Sequence, residues 1–225
     1  MQAIFESLFD IAYLVIIILL GFILLRKGQT QILKNYGIMA LVLGFGDAFH
    51  LVPRIFALLT DGFNDPTIIA AMGIGKLITS ITMTVFYVLL YFIWRQIFDK
   101  KAPVLTGLVV LLAAIRIVLC LFPQNAWLSA DQPLSWGIYR NIPFLLLGLL
   151  VIIAFYSQKK HSAYPPYRHM GLAIILSFGF YIPVVLWVDV IPVLGMLMIP
   201  KTIAYVWIVW MGFKEYKNRL SSQAS

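Results

Sequence analysis

An aspartate, a histidine and an arginine interrupt an otherwise apolar stretch, GFGDAFHLVPRIF (44–56). Asp47, His50 and Arg54 are spaced i, i+3 and i+7, which places them within an arc of about 60° on one helix face. A carboxylate, an imidazole and a guanidinium on one face could bind a charged ligand, act as a general base or pair with one another. The choice between these roles depends on the elements that position the three side chains.

The composition predicts a polytopic membrane protein. Hydrophobic residues make up 62% of the 225 residues and charged residues only 12%, too few to cover a soluble domain. Apolar stretches of about 20 residues, the length that crosses a bilayer, recur between short polar connections. We therefore predict an all-α integral membrane protein, a single domain over 1–225, with seven transmembrane spans at about 3–25, 37–58, 69–94, 103–123, 141–157, 170–189 and 191–213. Glu6 and Asp10 stand where a signal peptide would carry basic residues, so we expect the first span to be retained.

The basic residues predict the topology. Most of the 17 lysines and arginines fall in alternate connections and in the C-terminal tail. These are Arg26, Lys27, Lys34, Arg95, Lys100, Lys101, Lys159, Lys160, Arg168, Lys214, Lys217 and Arg219. The intervening connections carry Asp61, Asp65, Asp131 and Asp189. The positive-inside rule then predicts an external N-terminus and a cytoplasmic C-terminus in the cell membrane. Cytoplasmic flanks facing anionic lipid account for most of the net charge of +8, so we predict no nucleic-acid partner.

Two segments suggest an internal repeat. Residues 26–46 and 159–179 align without gaps, each with paired basic residues, an apolar run and a small residue followed by Phe-Gly. Spans 1–3 and 5–7 would then be parallel copies joined by span 4, a three-plus-one-plus-three arrangement found in transporters. The alternative is chance, because hydrophobic helices with basic cytoplasmic ends often match this well.

Ionisable residues within the spans cluster in their outer halves. Five bases remain outside the cytoplasmic flanks: Arg54, Lys76, Arg116, Arg140 and Lys201, the last expected near the midplane. An ionisable group in hydrocarbon is costly, so these groups are expected to face the bundle interior and to pair. We predict a ligand-binding pocket, open to the outside, formed by Glu6, Asp10, Asp47, His50, Arg54, Lys76, Arg116 and Lys201. Two alternatives remain: an ion-pair network that only fixes helix packing, and snorkelling of Arg54 and Arg140 to outer headgroups.

Sequence motifs for known metal or nucleophile chemistry are not found. The chain has no HExxH, GxSxG or Walker pattern, and its lone Cys120 provides neither a disulfide nor a thiolate metal site. An intramembrane zinc hydrolase like the alkaline ceramidases and the progestin-adiponectin receptor relatives would need several neighbouring histidines. Only His50 lies in a span, so we predict no metal site.

Around Lys201 the sequence is similar to the rhodopsins. The segment PKTIAYVWIVWMGFKEYK (200–217) resembles the seventh helix of animal opsins, with its Lys-Thr pair and following basic tail. The resemblance covers only these residues and implies a retinal Schiff base on Lys201. The third span lacks the acidic counterion pattern of microbial rhodopsins, so Asp47 or Asp10 would have to serve instead.

The excess of bases in the predicted pocket favours an anionic or zwitterionic ligand. We expect a seven-helix transporter or receptor-like protein whose partners are membrane lipids and a small molecule. The first alternative is an intramembrane enzyme acting on a lipid headgroup, with Asp47 or His50 as the general base and arginines holding phosphate. The second is an opsin-like protein. The sequence indicates neither a definite cofactor nor an oligomeric state.

Overall fold

Seven α-helices make up most of the protein. The computed structural model describes residues 2–158, 165–188 and 190–224. Within these residues the helices are α1 (Gln2–Lys27), α2 (Gln31–Thr60), α3 (Pro66–Ile97), α4 (Pro103–Leu121), α5 (Leu134–Ser157), α6 (Met170–Trp187) and α7 (Met198–Ala224). All seven are long and apolar enough to cross a membrane, which confirms the predicted all-helical architecture.

Local signals set several helix boundaries. The Thr30 hydroxyl accepts a hydrogen bond from the Leu33 amide at the start of α2. Asp65 caps α3 by accepting from the Thr67 amide at 2.7 Å. Both residues satisfy amides that the first helical turn leaves without partners, as N-cap residues do. Proline occupies the first position of α3 and of α4, where its missing amide donor costs nothing.

Three helices start six or seven residues from the predicted boundary, and the first of them is α2, which begins at Gln31 and not at 37. α5 begins at Leu134, directly after Pro133, so Arg140 lies inside the helix and not at its edge. Before α7, residues Pro192–Leu197 form a 3-10 helix, and regular α-helix begins only at Met198. Lys201 therefore lies in the first turn of α7 and is the tenth residue of the apolar segment Pro192–Ser222.

The helices form a closed ring. Each packs against the next along the chain, α7 packs against α1, and α3–α5 and α2–α7 contacts cross the interior. Successive helices run in opposite directions through the bundle. One end of the bundle therefore contains the first residues of α1, α3, α5 and α7 and the last residues of α2, α4 and α6. We call this the site end. The predicted cytoplasmic bases that the structure describes lie at the opposite end, whereas Lys159, Lys160 and Asp189 are outside the described residues.

Glycines allow α1, α2 and α3 to pack closely. A β-carbon at Gly37 of α2 would overlap the backbone of Leu25 on α1. A β-carbon at Gly75 of α3 would overlap the Phe49 carbonyl and the Cα of His50 on α2. Both positions therefore require the absence of a side chain for the backbones to approach. The second contact sets the position of the part of α2 that carries His50 and Arg54.

Candidate functional site

A cavity of about 510 Å³ lies at the site end, and all seven helices contribute to its wall. The structure brings seven of the eight predicted residues to this wall: Glu6, Asp10, His50, Arg54, Lys76, Arg116 and Lys201. Asp47, the eighth, is not part of the lining. Arg140, which was not among the eight, also lines the cavity.

Arg54 joins α2 to α1 through two ion pairs. Its Nη2 lies 2.6 Å from Glu6 Oε2, and its Nη1 lies 3.2 Å from Asp10 Oδ2. The side chain of Arg54 is 29% exposed, and those of Glu6 and Asp10 are 12% and 8% exposed. Glu6 and Asp10 are one helical turn apart, so a single guanidinium can engage both carboxylates. Two protein carboxylates therefore bind the guanidinium of Arg54.

Arg116 is a buried cation with unused donors. It lies on α4, only 2% exposed, and its Cζ is 3.3 Å from the centroid of the Phe144 ring on α5. Nε and Nη1 are buried without a hydrogen-bond partner. The aromatic face attracts the cation but accepts few of its five N–H donors. A guanidinium in this state at a cavity wall is suited to receive an anion.

Two further cations in the wall rest on aromatic rings. Lys201 Nζ lies 4.7 Å from the centroid of Tyr181 on α6 and 5.4 Å from that of Tyr205 on α7. Arg140 lies over Trp127, with its Cζ 4.4 Å from the ring centroid. Its Nη1 also donates to Asn125 Oδ1 at 2.8 Å. Aromatic faces orient these cations while leaving their charge uncompensated.

The loop between α4 and α5 contributes to the site through Asn125. Its buried side-chain amide donates to the carbonyls of Leu119 and Phe122, each at 2.8 Å, at the end of α4. The amide oxygen is then left to accept from Arg140. Asn125 thus fixes the position of Arg140 relative to the helix that carries Arg116.

Positive charge dominates the cavity wall. Five bases line it, namely Arg54, Lys76, Arg116, Arg140 and Lys201, against the two acids Glu6 and Asp10. Both acids contact Arg54. Among the described residues, no carboxylate forms an ion pair with Arg116, Arg140 or Lys201. Lys76 is exposed at the mouth of the cavity. An uncompensated group of cations within one wall favours an anionic occupant.

Asp47 lies behind the cavity wall. Its Oδ2 accepts a hydrogen bond of 2.6 Å from the hydroxyl of Tyr13, a buried residue of α1. Lys201 acts on this carboxylate electrostatically across the bundle without direct contact. The group in direct contact with Asp47 is thus a phenol and not one of the bases of the spans. The hydrogen bond of Asp47 therefore links α2 to α1.

Tyr13→Phe is expected to lower the free energy of unfolding by about 1.5–3 kcal/mol, because it removes a hydrogen bond to a buried charged group. Thermal unfolding of the purified protein measures the effect. Tyr36→Phe is the matched control, since the Tyr36 hydroxyl is buried without a hydrogen-bond partner. We expect this control to be neutral or slightly stabilising. Equal effects of the two substitutions would contradict the role assigned to Tyr13.

Several residues of the site were not identified from the sequence. Three cations contact aromatic rings: Arg116 contacts Phe144, Lys201 contacts Tyr181 and Arg140 contacts Trp127. The hydroxyl of Tyr13 donates a hydrogen bond to Asp47. Trp127 follows the end of the fourth predicted span, where a tryptophan is typical of an interfacial aromatic belt, so its position did not indicate a cavity wall. No protein family model, curated protein or solved structure matches this chain.

Proposed function

We propose that this protein binds a small anionic or zwitterionic molecule in the cavity, as a seven-helix transporter or receptor-like membrane protein. The observation that carries the proposal is Arg116, a buried guanidinium at the cavity wall with two nitrogens that lack partners. A buried charge left in this state is costly, and an anion would supply both the missing acceptors and the missing charge.

The neighbouring cations support the same conclusion. Arg140 and Lys201 line the same cavity from α5 and α7, so a ligand there meets positive charge from three helices. Guanidinium groups bind carboxylate and phosphate in bidentate fashion, and an ammonium adds a compact point charge. Glu6 and Asp10 on α1 could accept hydrogen bonds from the amino group of a zwitterion. That contact would replace part of their contact with Arg54. Carboxylates, phosphates and amino acids are therefore the ligand classes to screen.

A thermal-shift screen tests the proposal. Purified protein is incubated with pooled small carboxylates, phosphates, amino acids and lipids, and the unfolding midpoint is measured. A ligand present at a hundred times its Kd should stabilise the protein by about 2.7 kcal/mol. Lys201→Met should greatly weaken this stabilisation, whereas Lys214→Met, an exposed position at the opposite end of α7, should retain it. A screen in which no anion or zwitterion stabilises the protein would contradict the proposal.

Two other outcomes would favour the alternative functions. Release of product from a lipid in the screen would favour the headgroup-directed enzyme. A visible absorption band after incubation with retinal would favour a Schiff base on Lys201, and its absence would remove that alternative.

We also propose that the site end faces the outside of the cell membrane, because the basic connections lie at the opposite end. A cysteine replacing Asp131, which is exposed at the site end, should react with an impermeant maleimide added to intact cells. A cysteine replacing Lys100, exposed at the opposite end, should react only after lysis. The native Cys120 is buried, so it should give little background. The reverse labelling pattern would overturn the proposed orientation.

A further inference from the structure

Asp47 is an acidic side chain next to the cavity that forms no salt bridge within the described part of the chain. It lies one helical turn before His50 and Leu51, which line the cavity from α2. The hydrogen bond from the Tyr13 hydroxyl uses Oδ2, and Oδ1 takes part in no hydrogen bond of the described residues. Oδ1 can therefore bind a proton while Oδ2 keeps its donor.

The cation that acts on Asp47 is Lys201 on α7. Lys201 also lines the cavity and is one of the cations to which we propose that the anion binds. The same positive charge thus attracts the carboxylate from one side and the anion from the other. An anion bound at Lys201 would compensate this charge and would also repel Asp47. A charged carboxylate inside the bundle then becomes more costly.

Other charged and titratable groups surround Asp47 and Lys201 on five helices. They are Asp10 and Tyr13 on α1, His50 and Arg54 on α2, Lys76 on α3, Arg116 on α4 and Tyr205 on α7. Arg54 is paired with Glu6 and Asp10. Asp10, His50 and Lys201 are thus the competing proton sites that an experiment has to separate from Asp47.

We propose that the protein binds a proton together with the anion, and that Asp47 is the group that takes up this proton. The inference rests on the proposed function, because it requires an anion at Lys201. A proton from the solvent neutralises the carboxylate whose compensating charge the anion has taken, and no bond other than the new O–H bond is formed or broken. Binding of the anion and of the proton then strengthen each other by the same factor. In a transporter this coupling would move both together.

Calorimetric titration of the unmodified protein tests the inference. Acetate and, separately, methyl phosphate are added to the protein in one fixed detergent between about pH 6 and pH 9, where acetate is ionised. Each titration is repeated in two buffers of different ionisation enthalpy, so that the difference in heat gives the number of protons taken up per anion. We expect an uptake of about half to one proton per acetate within this range. The Kd should rise by up to about tenfold per pH unit where the uptake occurs.

Asp47→Asn identifies the group that binds the proton. This variant resembles the protonated carboxyl in shape, so it should bind acetate without proton uptake and with a Kd that no longer depends on pH. Asp131→Asn is the matched control, an exposed position outside the cavity lining, and it should keep both the uptake and the Kd. His50→Gln should also keep the proton uptake, whatever its effect on the Kd.

Infrared difference spectra of the unmodified protein provide a test that does not depend on the folding of Asp47→Asn. Addition of acetate should produce the C=O stretch of a protonated carboxylic acid, which uptake by Lys201 or His50 would not produce. Tyr13→Phe should move this band to higher frequency, because the carbonyl oxygen Oδ2 loses its hydrogen-bond donor.

The possible results separate the two proposals. Anion binding without proton uptake, full uptake in Asp47→Asn, or a carboxylic acid band that Tyr13→Phe leaves in place would overturn the assignment of the proton to Asp47 and leave the anion site intact. If neither acetate nor methyl phosphate binds at any pH, both proposals are overturned.

Discussion

We expect Arg116→Met to abolish the proposed anion binding and to raise the free energy of unfolding by about 1–2 kcal/mol. Binding should be lost because the substitution removes a buried cation of the cavity wall, two of whose nitrogens have no hydrogen-bond partner. Stability rises because desolvation of an uncompensated guanidinium outweighs its contact with the Phe144 ring, and methionine fills similar space without charge. Ligand titration and thermal unfolding of the same preparation measure both effects.

Arg26→Met is the control for this experiment. Arg26 is an exposed arginine at the opposite end of α1, so its replacement should change neither binding nor stability. An Arg116 variant that loses stability but binds normally would show that Arg116 serves packing. That result would favour the ion-pair and packing interpretation of the cluster over the binding site.

Arg54→Met should destabilise the protein by about 3 kcal/mol. The substitution leaves the carboxylates of Glu6 and Asp10 close together, little exposed and without the cation that contacts both. Breaking a buried ion pair from one side typically costs 3–5 kcal/mol, and the partial exposure of Arg54 places our expectation at the lower limit. Thermal unfolding in one fixed detergent provides the measurement.

A mutant cycle distinguishes lost pairing from lost packing. Replacing Glu6 by Gln and Asp10 by Asn in the Arg54→Met background should restore stability to within about 1 kcal/mol of the unmodified protein, because no charge is then left unpaired. If the triple variant stays as unstable as Arg54→Met, the methylene stem of Arg54 and not its charge holds α1 against α2.

The sequence predicted the bounds of some spans closely. α4 was expected at 103–123 and occupies Pro103–Leu121. The largest errors at helix starts fall at α2, α5 and α7. Composition cannot separate helix from an equally apolar 3-10 segment such as Pro192–Leu197. The internal repeat and the membrane orientation remain predictions.

The ionisable part of the site was predictable, whereas its aromatic part was not. Charged groups in an apolar span are costly and therefore conspicuous, which is how Lys76, Arg116 and Lys201 were found. Phe144 and Tyr181 are two among 16 phenylalanines and 11 tyrosines, most of which fit ordinary core or lipid-facing positions. Their contact with a cation depends on the rotation of one helix relative to another, which a single sequence does not specify.

The glycine contacts of α2 have a mechanical consequence. At Gly37 and Gly75 the backbones of α1, α2 and α3 meet with no layer of side chains between them. Sliding of packed helices is accommodated by small side-chain adjustments, and none are available at these two points. We expect α1, α2 and α3 to form one rigid unit that holds Arg54 with Glu6 and Asp10. We expect α4 to α7, which carry Arg116, Arg140 and Lys201, to move relative to this unit. A change in cavity volume would then alter the distance from Glu6 and Asp10 to Arg116, Arg140 and Lys201.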